Sequence, residues 1–185
     1  MFPGIHRVLI DEATIAARVR ALGRQIAADL LADIESTGGR QDQIVLVPIL
    51  TGSIVFVADL IRQMPLKLSL GVVAVSSYPG KSMQSKGAAI RGEIPQDLAG
   101  KHVLVVDDIL DSGRTLGLVR RLIEEQNPAS LRVAVLLRKV LETARAEEPP
   151  VEYVGFDIPD EFVVGYGLDY DGHYRNYPAI AVLRP

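Results

Sequence analysis

The sequence predicts an α/β domain built on a parallel sheet, and three observations point there. Short β-branched runs alternate with helical apolar stripes along the chain. Within each run consecutive residues are apolar, which is the pattern of strands covered on both faces. The 185 residues are 48% apolar and 23% charged, which suits one self-sufficient core and a single domain spanning residues 1–185.

In chain order, Ile15, Val19, Leu22, Ile26, Leu30 and Ile34 recur every three or four residues and predict one helix ending near Gly38 and Gly39. Ile44 to Leu50 is too short and too β-branched for a helix and predicts a buried strand, broken by Thr51, Gly52 and Ser53. Ile54 to Met64 is helical in pattern. Leu70 to Ser76 predicts a second strand, leading into a loop rich in Gly, Ser and Lys from Tyr78 to Gly92. His102 to Asp107 is the clearest buried strand, and the helix carrying Leu116, Val119, Leu122 and Ile123 is stopped by Asn127 and Pro128. Leu131 to Leu137 is a further strand. From Val151 the texture changes to short strands, Val151 to Phe156, Phe162 to Tyr166 and Ile180 to Leu183, among Gly, Asp and Tyr. Residues 151–185 are therefore expected to form a cap over one sheet edge.

Composition narrows the chemistry. Without cysteine there are no disulfides, thiolate nucleophiles or sulfur-ligated metals, and His6, His102 and His173 are scattered. Twenty Lys and Arg against 23 Asp and Glu give a net charge of −3, so no excess of positive charge marks nucleic acid or an anionic membrane as the partner. No apolar run reaches the roughly 20 residues of a membrane helix, the N-terminus shows no signal peptide, and a cytoplasmic location is expected.

In open α/β sheets ligands bind beyond the carboxyl ends of the strands. There the strand ending at Asp107 runs into Asp107-Asp108-Ile109-Leu110-Asp111-Ser112-Gly113-Arg114-Thr115 and then a helix. Small and hydroxylated residues at a helix N-terminus can cradle a phosphate monoester on free N–H groups, and Gly113 permits close approach. Two adjacent carboxylates repel that same anion but accept hydrogen bonds from a neighbouring pair of hydroxyls, such as a ribose diol. Three aspartates at such a turn are equally compatible with solvated helix caps. Walker A, the dinucleotide fingerprint and the EF-hand loop are all mismatched here.

The stretch Val103 to Thr115 resembles the phosphoribosyl-pyrophosphate (PRPP) motif of type I phosphoribosyltransferases. Ile158 to Tyr170, with Asp160 inside it, and Tyr174-Arg175-Asn176 further resemble the hypoxanthine-guanine branch of that family. The resemblance covers roughly residues 40 to 185 and implies a type I phosphoribosyltransferase fold with a small C-terminal hood. It implies a purine-salvage reaction in which a purine nitrogen attacks the anomeric carbon of PRPP, giving IMP or GMP and pyrophosphate with Mg²⁺.

By the same resemblance, Asp107 and Asp108 hold the ribose hydroxyls, and Asp111, Ser112, Gly113, Arg114 and Thr115 bind the 5′-phosphate. Asp111 also faces the purine N7 as acid/base partner. Lys139 contacts the 6-oxo group, Phe162 stacks on the base, and the backbone of Val163 reads its edge. Asp169 is implied as a metal ligand near pyrophosphate and base, Asp107 as a second carboxylate toward the metal, and Arg175 as a pyrophosphate contact. Leu50 to Ser53 resembles the pyrophosphate loop, with Thr51 where many relatives carry Lys, leaving backbone N–H groups for that role at Thr51 and Gly52. The stretch from Ser76 to Arg91 resembles the family's lid, with Ser77 and Tyr78 in the matching place. A homodimer or homotetramer is implied as well.

Two other readings stay open on sequence alone. One is a nucleotide-sensing RNA-binding regulator on the same fold, against which stand the acidic balance and the pairing of Lys139 with Phe162. The other is salvage of xanthine or uracil.

Overall fold

The computed structural model describes residues 2–76, 89–91, 94–143, 145 and 148–184. Ser77 and Tyr78, the two lid positions, lie outside the described residues.

The chain opens with strand β1 (Ile5–Ile10), followed by helix α1 (Glu12–Thr37). Asp11 starts that helix by accepting a hydrogen bond from the amide of Thr14 at 2.7 Å, and Gly38 ends it in the left-handed conformation at φ 66°. A 3₁₀ turn at Gln41–Gln43 leads to β2 (Ile44–Leu50), α2 (Ile54–Ile61), β3 (Leu68–Leu70), β4 (Val73–Ser76) and β5 (Ala89–Arg91). Then follow β6 (His102–Leu110), α3 (Arg114–Glu124), β7 (Ser130–Val140), β8 (Tyr153–Pro159), β9 (Val163–Val164) and β10 (Ile180–Leu183).

The main sheet has strand order β5-β4-β2-β6-β7-β8, with β3 also on β2. The β2, β6, β7 and β8 pairings are all parallel, and β5 returns antiparallel on β4. Strand alternation splits the interior in two. Ile44, Leu46, Leu104, Val106, Ala134 and Leu136 face α1 and α2, whereas Val45, Val47, Val103, Val105, Val133 and Val135 face the side where α3 buries Leu116, Val119 and Ile123. Consecutive apolar residues in these strands are thus explained by helices on both faces.

Five elements differ from the sequence reading. The predicted strand from Leu70 to Ser76 is two strands, because Gly71 bends the chain where a Cβ would meet the ring of Pro95 at 2.7 Å. Strands β6 and β7 run three residues further than their apolar cores, to Leu110 and Val140, because their ladders continue through Ile109 with Leu137 and Leu110 with Arg138. Asp108 therefore sits on the strand beside Asp107 rather than in the turn after it. The segment Val151 to Phe156, read as part of the cap, belongs to the main sheet: β8 pairs parallel with β7, and Arg138 and Asp157 close a bidentate ion pair across the two strands at 2.6 and 3.0 Å. The hood is instead a separate three-stranded sheet of order β1-β10-β9, so its first strand comes from the N-terminus. Mixed Ile-His-Arg-Val residues gave β1 no pattern of its own, and its place is set by pairing with β10.

Candidate active site

Parallel strands bring the ends of β2 and β6 together. Pro48 pairs with Val106, so Thr51 and Gly52 of the loop after β2 and the acids Asp107 and Asp108 open into one cleft of about 680 Å³. Its wall also holds Asp111, Ser112, Gly113 and Thr115 from the turn into α3, and Asp169 and Arg175 from the hood. Ten of the residues singled out in the sequence therefore meet in one place.

The loop after β2 begins with a cis peptide between Leu50 and Thr51. Buried Ser53 anchors the loop by donating its hydroxyl to the carbonyl of Ile49 at 2.5 Å. Gly52 lies between two other parts of the site: a Cβ there would meet Oδ2 of Asp108 at 1.7 Å, and a Cβ on Gly167 of the hood would meet the Gly52 carbonyl at 2.1 Å. At this point the loop backbone lies against the Asp108 carboxyl on one side and the hood backbone on the other.

At the turn into α3, Gly113 occupies the N-cap with φ 79° and offers no side chain to the first helical N–H groups. The helix also has no acid in its first turn. Those amides and the positive end of the helix suit an anion. Arg114 is the first residue of α3 and stands outside the cleft lining.

The acid pair is electrostatically unusual. Asp107 is only 7% exposed. Burial first, and the charge of Asp108 second, push its carboxyl well above the usual carboxylate range; burial also raises Asp108, against which Arg175 acts. Asp107 Oδ1 accepts from the amide of Asp108 and Asp108 Oδ1 from that of Ile109, each at 3.0 Å. Because the folded values lie above the unfolded ones, the stability these acids contribute is fully present below the unfolded carboxylate range. It is lost as the pH rises through the folded values. Asp107→Asn is thus expected to raise the thermal midpoint of the ligand-free chain by a few degrees at pH 8, the gain shrinking toward pH 4; equal midpoints at both pH values would contradict this. A bound cation or diol that needs the ionised pair should release protons on binding.

On the hood side, Arg175 pairs with Asp169 at 2.6 Å and donates to the carbonyl of Gly167 at 2.6 Å. Asp169 also accepts from the amide of Gly172 at 2.8 Å. Among the described residues no group of three His, Cys, Asp or Glu side chains stands ready for a metal. Mg²⁺ does not need one, since it keeps several waters and takes one or two carboxylates with substrate phosphates. Buried, charge-strained Asp107 and the hood carboxylate Asp169 in one cleft fit that donor set.

Beyond Asp111 the site turns toward β7 and β8. The ammonium of Lys139, only 13% exposed, lies 3.4 Å from Asp111 Oδ2 and 3.0 Å from Asp160 Oδ1. Sequence reading placed Lys139 after its strand and gave Asp160 no role; the extended β7–β8 ladder joins them. Phe162 is 54% exposed rather than core, and meets Tyr170 edge-on with ring centroids 5.7 Å apart. Val163 is buried and pairs with Val182 in the hood sheet. Lys139, Phe162 and Val163 therefore stand beside the cleft lining rather than in it. Ile109, Asp171 and Gly172 line the cleft without having been singled out, since an apolar strand residue and a Gly-containing turn carry no chemical signal in sequence.

Comparison with known proteins places this site in context. The family model of the phosphoribosyl transferase domain matches residues 19–171. The chain is 42% identical over 186 residues to the hypoxanthine-guanine phosphoribosyltransferase of Mycobacterium avium, covering 100% of this chain and 89% of that protein. Among solved structures, a hypoxanthine phosphoribosyltransferase from Staphylococcus aureus superposes with TM-score 0.84 at 37% identity, covering 98% of this chain and 93% of that one. The Trypanosoma cruzi hypoxanthine phosphoribosyltransferase in complex with the product IMP gives TM-score 0.85 at 34% identity, covering 100% of this chain and 97% of the other.

Proposed function

The chain belongs to the phosphoribosyl transferase domain family, and from that premise we propose that it is a purine-salvage enzyme transferring the phosphoribosyl group of PRPP to hypoxanthine or guanine. One observation carries the reading: a single cleft joins two adjacent acids, Asp107 buried and Asp108 half-buried, an N-terminal helix turn capped by glycine, and a Gly52 loop in contact with both Asp108 and the hood.

Each part has a matching substrate group. Asp107 and Asp108 accept from the ribose hydroxyls, and the amides from Asp111 to Thr115 wrap the 5′-phosphate, with Arg114 adding positive charge to that turn. Backbone N–H groups of Thr51 and Gly52, with Arg175, face the pyrophosphate. A purine ring nitrogen bonds to the anomeric carbon as the bond from that carbon to the pyrophosphate oxygen breaks, and pyrophosphate leaves with the electron pair. Asp111 stands where it can exchange a proton with the purine N7. Lys139, which donates and never accepts, suits a 6-oxo group and not a 6-amino group. Phe162, exposed and braced by Tyr170, offers a face for stacking, and the backbone of Val163 an edge contact.

Mg²⁺, held by Asp169 with Asp107 close to the sugar hydroxyls, would neutralise the charge that gathers on the departing pyrophosphate. Ser77 and Tyr78 are assigned to excluding water from the closed site by the resemblance alone. Among the described residues no helix is long and apolar enough to cross a membrane; cytoplasmic residence and assembly as a homodimer or homotetramer are part of the same proposal.

A panel of bases assayed with PRPP and Mg²⁺, beside an RNA gel-shift, tests the reading. Turnover of hypoxanthine or guanine without a shift is expected. Turnover of uracil alone, or RNA binding without turnover, would overturn it.

A further inference from the structure

One nearly buried cation has no part in the chemistry above. Arg145 lies six residues beyond Lys139, and its side chain is 10% exposed. Its guanidinium joins three segments. Nε donates to the main-chain carbonyl of Asp111 at 3.0 Å, Nη2 donates to the main-chain carbonyl of Lys139, and Nη1 donates to both carboxylate oxygens of Glu148 at 3.0 and 3.1 Å. On the far side of the same ring the Lys139 ammonium meets Oδ2 of Asp111 at 3.4 Å.

The two carbonyls belong to the two residues assigned to the purine. Asp111 closes the β6 edge of the site and Lys139 lies near the end of β7, so their spacing decides whether one planar base can meet both side chains at once. A guanidinium is a rigid plate with donors in fixed directions, whereas an ammonium is a point donor on a flexible stem. One plate bonded to both main chains fixes their separation in a way that no single hydrogen bond between the side chains does. Glu148 balances the charge of the plate from the solvent side, being 65% exposed.

We propose that Arg145 is a positioning residue which sets the distance between Asp111 and Lys139 and thereby the seat of the 6-oxopurine. The inference rests on the function proposed above. It concerns the base more than the sugar phosphate, because the guanidinium joins the main chains of Asp111 and Lys139, the two residues assigned to the purine.

The test compares the unaltered chain with Arg145→Ala and Arg145→Lys, reading kcat, both KM values and the thermal midpoint. Misplacement of a reacting group by about 1 Å costs on the order of 10²-fold, so kcat/KM for hypoxanthine should fall by roughly that factor in both variants. The KM for PRPP should change far less than that for hypoxanthine, and the midpoint should fall by no more than the lost main-chain hydrogen bonds explain. Added guanidinium ion should restore part of the lost rate in Arg145→Ala and none in Arg145→Lys, whose ammonium fills the space. Absence of turnover by the unaltered chain would overturn the proposed function and this inference with it. Normal turnover by the unaltered chain, with Arg145→Ala matching it, would overturn the inference alone. So would a loss that follows the thermal midpoint in both variants and is not rescued by guanidinium.

Discussion

Replacing Asp111 by Asn should lower kcat by about 10² to 10⁴, the range contributed by a well-placed general acid or base, while leaving the KM for PRPP almost unchanged. Asn keeps the shape of the side chain and removes its ability to exchange a proton. The surroundings allow so clean a change. Asp111 is 56% exposed at the mouth of the cleft, so no buried charge is stranded by the substitution. Lys139 loses an ion-pair partner at 3.4 Å and keeps the shorter one to Asp160 at 3.0 Å. The 5′-phosphate is assigned to amides of the turn, which the substitution does not touch. Steady-state kinetics with hypoxanthine and PRPP each varied would separate the two effects. A kcat within threefold of the unaltered chain would remove Asp111 from the chemistry, and a rise confined to the PRPP KM would make it a binding residue only.

How much of this was legible beforehand depended on whether the signal was local. The buried strands Ile44–Leu50 and His102 onward announce themselves, because unbroken β-branched runs fit little else at that length. The acids and Gly113 are likewise local: their chemistry sits within nine consecutive residues, and the fold only carries them to the sheet edge. Residues defined by a partner far away in sequence were harder to see. β1 is a strand because β10 lies alongside it, 170 residues away. Asp160 matters because β8 continues beside β7 and delivers it to Lys139. Arg145 appears in sequence as one more cation in a polar loop, and only its bonds to the carbonyls of Asp111 and Lys139 distinguish it. The placement of β8 in the main sheet rather than the cap has the same origin. A strand of alternating exposure such as Tyr153–Pro159 reads like a cap strand until its parallel neighbour is known, since sheet edges are half-covered too.

Gly52→Ala should strongly weaken the binding of PRPP. The backbone at Gly52 is in no conformation reserved for glycine; space is what forbids a side chain there. The added Cβ would stand 1.7 Å from Oδ2 and 2.6 Å from Cγ of Asp108, far inside contact distance. Either the loop retreats from the strand, or the carboxyl rotates out of its hydrogen bond with the Ile109 amide. The first outcome withdraws the amides assigned to pyrophosphate, and the second withdraws an acid assigned to the ribose diol. Each hydrogen bond to a charged group is worth about 1.5–3 kcal/mol, so the KM for PRPP should rise by roughly 10-fold to more than 100-fold on either route. Overpacking of this kind also costs about 1–3 kcal/mol of stability. A double substitution distinguishes the clash from any general effect of alanine in the loop. Gly52→Ala with Asp108→Ala removes the carboxyl that the methyl strikes, and the thermal midpoint should recover toward that of Asp108→Ala alone, a coupling between touching residues. Affinity for PRPP should stay low, because the diol has lost its acceptor. Midpoints that simply add, or a Gly52→Ala chain that binds PRPP as the unaltered chain does, would show that the loop and the acid do not share the space assigned to them.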